Sequence, residues 1–553
     1  MTEKANCGLR WPEWLAVLAA CAAASAAAVE WSWQHGAMMN YGDAIAHLHI
    51  ARRVFDSHQP RLTQLGSVWL PLPHLLMLPF VQVYSWWANG VAALPASILA
   101  YLAACAGIYR LARRWLTPLA SALALAFFAL NPNLLYLQTT AMTEPLFVCE
   151  MIWVAVALVE WRDCVDEDPR KSGRLQAWIA VALIAAIFTR YDGWIMALLA
   201  WSGIGVALLR RGRLRSPLFW LASFFVVAAP VAWFVYNSVG FGDWLYFARG
   251  PYSAKAIELR TATPGAGPPH PGWHNPWVSL LFFVKAAELD TAVAWGNLLL
   301  ALSVLGAAWG WVTARRHGFL WALLLWLPVP FYAYSIAYSA VPIFLPPWWP
   351  HSYYNLRYGM EMLPAFALGL GFAAQFGLAA VREFKASWVK YAAGLLFALI
   401  GLNAGLMMRA RPVVYVEGTK NNAARRQYEI EIPPLLRTLT AARPGGVVLM
   451  NTSVYPELVS LTGIPLRQTI NESDLEIYRQ ALEAPAAHAA VVLAFDGDEI
   501  DQAVKAHPAG LIPVRRFTLA GQPSGTMYIS GTSAATDLTG KRGAVVASGK
   551  EAR

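Results

Sequence analysis

The stretch NYGDAIAHLHIARRVFDSHQPRLTQLGSVWLPLP, Asn40–Pro73, decides how this chain is read. It opens on a lone acid, Asp43, and continues as a short amphipathic helix carrying His47, His49, Arg52 and Arg53. It closes on Trp69-Leu70-Pro71-Leu72-Pro73, which leads back into apolar sequence. The chain around it is 57% apolar and 14% charged, against roughly 25% charged for an ordinary soluble domain. A dense group of ionisable residues directly after a first apolar segment reads as a loop at one face of a membrane-embedded chain.

The surroundings agree. Mean hydropathy is +0.42 and there are 26 tryptophans. Apolar runs long enough to span hydrocarbon recur from Trp11 to Met408, the pattern of a polytopic membrane protein. The net charge of +10 does not point to nucleic acid, because the basic residues sit in short clusters between apolar runs. Arg110/Arg113/Arg114, Arg170/Lys171/Arg174, Arg210/Arg211/Arg213/Arg215 and Arg315/Arg316 are placed as cytoplasmic loops would be. The five cysteines, Cys7, Cys21, Cys105, Cys149 and Cys164, show no CxxC or Cys/His spacing, so neither zinc nor a structural disulfide in the polar regions is expected.

Trp11–Val29 contains AAASAAA, which suits a signal-peptide cleavage region as well as a retained first helix. The retained helix fits the rest of the chain better, and both readings put Asp43 on the far side. Charge bookkeeping then makes Pro71–Trp87, with its three prolines, re-entrant or interfacial. Crossings follow at about 91–109, 117–134, 145–161, 176–190, 193–210, 217–239, 290–313, 318–341, 358–381 and 390–408, each near bilayer length. With the first helix this makes eleven to twelve transmembrane helices. The N-terminus is then cytoplasmic in a plasma (inner) membrane, and the outer loops are 32–70, 240–289 and 342–357.

Three regions result: a transmembrane module over 1–410, a soluble extracytoplasmic domain over 411–530, and a disordered Gly/Ala/Ser/Lys-rich tail over 531–553. In the soluble region GGVVLMN, LRQTI, AAVVLAF and LIPVRRFTLA read as strands, with SVYPELVSLTG, ESDLEIYRQALE and GDEIDQAVKAHP as helices between them. That alternation predicts a small α/β domain. It carries no GxGxxG or Walker motif, so no nucleotide is assigned.

Acids beside membrane spans are costly and point to function. Asp43 suits a general base that takes a proton from an attacking hydroxyl, although an Asp at a helix start is also a preferred cap. Glu144, in TTAMTEPLF, either lines the same cavity or complements the dipole of the next helix. Asp192 and Arg190, in FTRYDGW, form either a local pair at a turn or a phosphate subsite built on the guanidinium fork. Arg357, with Glu361 one turn on, offers the same choice between an i,i+4 pair and a lipid phosphate. Lys255 in the long Pro/Gly-rich loop is a weaker candidate. Tyr353, in VPIFLPPWWPHSYYNLRY, belongs either to an interfacial aromatic belt or to a sugar or lipid contact. His47 stands four residues from Asp43, a metal-compatible spacing that His74 could complete. No cofactor is assigned, and a divalent ion there stays open.

These motifs carry a resemblance. The first-loop acid with its amphipathic helix (YGDAIAHLHIARRVFDS), the Pro-rich re-entry (WLPLPHLLMLPF), the acid–Pro turn (TTAMTEPLFV) and RYGMEMLPAFALGL resemble the GT-C superfamily of membrane glycosyltransferases. The nearest flavour is the bacterial group related to protein O-mannosyltransferases and the lipid A aminoarabinose transferase. The resemblance covers roughly Trp11–Met408. It implies a polyprenyl-phosphate sugar donor, a membrane-lipid setting, and transfer to a hydroxyl outside the cytoplasm, usually with inversion. Asp43 matches the family's first-loop acid and Glu144 its second acidic position, while Arg190 and Arg357 match loosely as phosphate contacts. The chain departs from the pattern where Ala44 follows Asp43 in place of a second acid, and where no lysine precedes the Pro-rich re-entry. Two other classes compete: a transporter or flippase of lipid-linked glycans, and a non-catalytic envelope assembly protein. The sequence does not specify sugar, acceptor or oligomeric state.

Overall fold

A computed structural model describes residues 11–261, 268–293, 296–315, 318–518 and 522–531. Apart from Gly531, the tail lies outside these residues, as does 262–267 of the Pro/Gly-rich loop. The described chain forms two compact units.

The first unit takes in residues 1–40, 67–77 and 90–420, and its described residues are mostly helical. Among the described residues the expected crossings lie mainly on helix, but 117–134 breaks at Leu130–Asn131, and 290–313 takes in the end of one helix, Pro276–Thr291, and the next, Gly296–Ala314. Among the described residues nine helices are long and apolar enough to cross a membrane. Pro118–Ala129 is shorter, and Glu144–Cys164 carries Glu144, Glu150, Glu160, Arg162 and Asp163 along a mostly apolar helix. Several helices start on proline, as at Pro118, Pro132, Pro169, Pro217 and Pro276, where the missing N–H costs nothing. Side chains of Thr117, Asn131, Asp168 and Asn275 cap the orphan amides of four of these helices. Helices Gly296–Ala314 and Leu363–Phe384 meet backbone to backbone at Gly306 and Gly369, where a Cβ on either glycine would strike the facing carbonyl.

The bundle has two chemically different ends. At one, Arg110 pairs with Glu160 at 2.6 Å, Arg114 with Asp163, and Arg211 with Asp166 at 3.1 Å. These are the clusters assigned to inner loops. Helix Glu144–Cys164 has its N-terminus at the other end, and its 21 residues rise about 30 Å, one hydrocarbon thickness. Leu72–Met77 and Tyr84–Asn89, from the stretch expected to be re-entrant, are six-residue helices, too short to cross. The stretch 240–289, expected to be a long loop, contains helices Tyr246–Arg249 and Ala254–Thr261 and most of Pro276–Thr291.

The second unit joins residues 41–66 and 78–89 to the chain from Asn421 onward. The Asp43 loop therefore belongs to the same compact unit as the α/β region, where sequence order grouped it with residues 1–410. A five-stranded sheet forms its centre: β1 (Val448–Leu449), β2 (Thr469–Ile470), β3 (Val491–Phe495), β4 (Leu511–Phe517) and β5 (Gly525–Ser530), in the order β2-β1-β3-β5-β4. β1 is parallel to β2 and β3, while β5 runs antiparallel to β3 and β4. Leu449, Ile470, Val492, Tyr478, Ile500 and Val504 make the core under it. Helix Gly42–Arg53 is tied in by Arg53 to Ser473 Oγ at 2.7 Å, and by Arg52 (2.7 Å) and Arg467 (3.3 Å) to Asp56. β5 has no counterpart in the sequence reading.

Candidate active site

At the end of the bundle away from the basic clusters, five element ends bring their charged side chains together. Glu144 occupies the first turn of its helix. Arg190 and Asp192 sit in the turn between helices Pro169–Thr189 and Asp192–Arg210. Arg357 and Glu361 come from the 3₁₀ segment Leu356–Met362, and Glu417 from the start of helix Val413–Ala441. Glu144, Asp192, Arg357, Glu361 and Glu417 are all buried.

Arg190 organises the group. Its Nε donates to Asp192 Oδ2 at 3.3 Å, and its Nη1 to Thr143 Oγ1 at 3.1 Å and Glu144 Oε1 at 3.4 Å. Its Nη2 donates to Tyr332 Oη at 2.8 Å and lies 3.2 Å from Glu361 Oε1. Five oxygens thus meet the five N–H groups of one guanidinium. The Tyr332 hydroxyl in turn donates to Glu361 Oε1 at 2.7 Å. Arg357 continues the chain, with Nε donating to Glu144 Oε1 at 3.1 Å and Nη1 to Glu417 Oε1 at 2.7 Å. Glu144 therefore stands between two guanidiniums. Both of these also lie against the Tyr358 ring, 5.0 and 5.1 Å from its centroid, which eases the approach of two like charges.

Asp290, at the end of helix Pro276–Thr291, borders the group. Its main-chain carbonyl accepts from Asn131 Nδ2 (2.8 Å) and Asn133 Nδ2 (3.0 Å), and its fully buried carboxyl has no hydrogen-bond partner among the described residues. The carboxylates of Glu417 and Glu144 act on it through space. Five acids around two arginines leave the region rich in carboxylate.

Arg190, Asp192, Glu144 and Arg357 are thus brought together as the topology required. The i,i+4 pairing of Arg357 with Glu361 gives way to longer-range bonds, because the segment is 3₁₀ and its turns do not stack four residues apart. The two chemistries weighed for Arg190 resolve differently as well: its donors already meet protein oxygens, Asp192 among them. Lys255 and Tyr353 have other partners, Lys255 binding Glu258 at 2.6 Å and Tyr353 lying under Lys420 at 4.1 Å. Tyr332, Asp290 and Glu417 were missed. Tyr332 reads as one aromatic among many, Asp290 as a loop boundary, and Glu417 as the opening of a soluble domain.

Asp43 and His47 stand on helix Gly42–Arg53 of the second unit. Tyr41 occupies the N-cap and Asp43 the first turn, so Asp43 is not the cap. The helix start is held by Asn421, whose Oδ1 accepts from Gly42 N at 2.8 Å. His47 is buried. Its neighbour His49 is buried against Trp87, with no hydrogen-bond partner among the described residues. Burial, with Arg53 and Arg52 beside it, holds the His49 imidazole down at about 3. Among the described residues, no three His, Cys, Asp or Glu side chains are grouped to hold a metal ion.

Next to the network in the first unit lies an apolar cavity of about 640 Å³. Phe283, Leu300, Leu327, Val329 and Phe366 line it, together with Met362, which follows Glu361 in sequence. Phe283 also stacks on the Tyr332 ring at 4.7 Å. The volume falls within the roughly 300–1,000 Å³ of ordinary ligand sites.

Multiple spans, a polar cluster of helix ends at one face and a small sheet domain define a multi-pass membrane protein of the GT-C fold class. Among solved structures the chain is similar to ArnT from Cupriavidus metallidurans bound to undecaprenyl phosphate, with TM-score 0.53 and 13% identity over 92% of this chain and 98% of that one. It is similar to the same protein in the apo state, with TM-score 0.53 and 15% identity over 93% and 97%. It is also similar to the Archaeoglobus fulgidus oligosaccharyltransferase in the apo form, with TM-score 0.45 and 11% identity over 87% and 69%. At these identities the likeness is one of fold. No protein-family model matches the chain, and no curated protein matches it in sequence.

Proposed function

We propose that the chain is an integral membrane glycosyltransferase that moves a sugar from a polyprenyl-phosphate carrier to a hydroxyl on a lipid, glycan or protein. The observation that carries this reading is the junction of an apolar cavity with a buried guanidinium–carboxylate network, joined through Phe283–Tyr332 and Met362–Glu361. A polyprenyl chain calls for the first and its phosphate for a guanidinium of the second. The shared fold with a protein captured on undecaprenyl phosphate supports the same class of ligand.

In this mechanism the acceptor oxygen attacks the anomeric carbon as the carbon–oxygen bond to phosphate breaks. The electron pair leaves with the polyprenyl phosphate, and the sugar, hexosyl or pentosyl, is transferred with inversion. Arg357 offsets the charge that grows on the leaving phosphate, as preorganised donors do. Glu144 aligns Arg357 from one side, and Arg190 with Asp192 braces Glu144. Asp43 takes the acceptor's proton, an assignment that rests on its match to the first-loop acid. His47, Lys255 and Tyr353 remain candidates for contacts to the sugar or acceptor. The basic clusters support a cytoplasmic N-terminus in the plasma membrane, and this reading has the chemistry and the α/β domain extracytoplasmic.

The test is Asp43→Asn, which removes the base and keeps shape. Transfer from a radiolabelled polyprenyl-phosphate sugar should fall by 10²–10⁴-fold, the usual worth of a general base, with expression and insertion unchanged. Full activity in the variant would remove Asp43 from the mechanism.

A further inference from the structure

We propose that Glu417 is a positioning residue that sets Arg357 to receive the phosphate of the lipid carrier. The inference rests on the reading of Arg357 as the phosphate contact.

The geometry is specific. Glu417 is buried, and its Oε1 accepts from Asn355 N at 3.0 Å and from Arg357 Nη1 at 2.7 Å. Its Oε2 accepts from Leu356 N at 2.9 Å. One carboxylate thus gathers two successive backbone amides at the start of the 3₁₀ segment and the guanidinium that follows them. Charge-assisted bonds of this kind are the strong ones, and two amides at the opening of a helical segment favour an anion. The backbone at this point would not hold itself in place. Asn355 lies in the left-handed region at φ 56, a conformation a non-glycine residue adopts at some cost. Its side chain reaches Pro342 O at 2.9 Å, so the loop end is fastened from both sides.

This placement decides what Arg357 presents. Glu417 holds Nη1 and Glu144 holds Nε, so the plane of the guanidinium is fixed by two acids from helices far apart in sequence. A guanidinium held in this way loses little rotamer freedom when it meets a ligand. Glu361, on the same 3₁₀ segment, is fixed in turn by Tyr332 and Arg190. Removing Glu417 would release both the segment start and Nη1, with the ligand-binding consequence concentrated on the anionic head group. The isoprenoid chain, which needs only apolar surface, would not feel the change.

The experiment uses the full chain in lipid nanodiscs and two probes, undecaprenyl phosphate and undecaprenol, which differ only in the head group. Wild type should bind the phosphate in strong preference to the alcohol. Glu417→Gln should lose about tenfold or more in affinity for the phosphate, the scale of one charge-assisted hydrogen bond, and keep its affinity for the alcohol. Arg357→Ala should lose the preference too, and the double variant should be no weaker than Arg357→Ala alone, because Glu417 acts through Arg357. Asn403→Ala serves as the control for general loosening: its side chain caps Thr291 O at 3.0 Å, and the variant should lower stability with the preference intact. The proposal is overturned if Glu417→Gln keeps the preference, if the double variant loses both effects in full, or if Asn403→Ala loses the preference equally. If wild type itself shows no preference for the phosphate, the carrier reading fails, and the role of Glu417 fails with it.

Discussion

Replacing Arg190 is the sharpest perturbation of the network. Arg190→Met keeps most of the length of the side chain and removes the cation that Glu144, Asp192 and Glu361 share at 3.4, 3.3 and 3.2 Å. Only 15% of the guanidinium side chain is exposed, and its three acids are 3% exposed or less, so water replaces little of what is lost. Breaking one buried pair costs about 3–5 kcal/mol, because the remaining charge is stranded. Here Asp192 and Glu361 are stranded at once while Glu144 keeps Arg357 at 3.1 Å, and part of the cost is relieved when the stranded acids take up protons. The expected loss is therefore at the upper end, about 5 kcal/mol, comparable with the whole stability of many domains. Arg190→Lys should fall between wild type and Arg190→Met, because three ammonium N–H groups cannot serve five acceptors. The assay is unfolding of the reconstituted protein in mixed micelles with increasing denaturing detergent, followed by Trp fluorescence, with carrier binding measured on the folded fraction. A change below about 1 kcal/mol in Arg190→Met would refute the view that this guanidinium holds the acids together. Intact folding with a selective loss of carrier binding would instead return Arg190 to the role of a direct phosphate contact.

Further expectations follow from single positions. A Cβ on Gly359 would sit 2.5 Å from Asp290 Oδ2 and 2.6 Å from Ala287 N, so Gly359→Ala should cost about 1–3 kcal/mol by overpacking and displace Arg357. An unchanged unfolding midpoint with normal carrier affinity would contradict the close approach. In the second unit, burial raises Glu457 from the ordinary 4.5 to about 7, with Arg425 at 3.7 Å offsetting part of the effect. Its folded value lies above its unfolded one, so the stabilisation is full below about pH 4.5 and is lost as pH rises through about 7. The loss should approach 3 kcal/mol. Hydrogen exchange in β3 and β5 at matched intrinsic rates measures it, and the slope should flatten in Glu457→Gln; an identical slope in that variant would assign the pH dependence elsewhere.

Much of the membrane fold was legible because it is written in one-dimensional features. Apolar runs of bilayer length marked the nine described helices long and apolar enough to cross, and the basic clusters at Arg110–Arg114 and Arg210–Arg215 indicated which helix ends belong together. That bookkeeping predicted that Glu144, Asp192 and Arg357 share a face, and their side chains do meet. The individual bonds were less accessible. Arg190 with Tyr332, or Arg357 with Glu417, joins residues 142 and 60 positions apart, and no periodicity in a sequence encodes such a pairing. Glu417 was hidden for a second reason. Composition turns polar after Arg411, which suggested a domain border, yet the compact first unit extends to Lys420. The converse holds for Asp43: its loop lies between apolar runs in sequence but folds with strands hundreds of residues later. β5, GTMYIS, escaped because Gly525, Thr526 and Ser530 leave it only Met527, Tyr528 and Ile529 as an apolar signal.

The most direct measurement is an electron cryomicroscopy map of the reconstituted protein with undecaprenyl phosphate. The account predicts density for the phosphate within hydrogen-bond reach of Arg357 and for the isoprenoid chain along Phe283, Leu327 and Phe366. A phosphate seated away from Arg357, or a chain that leaves that cavity empty, would contradict it.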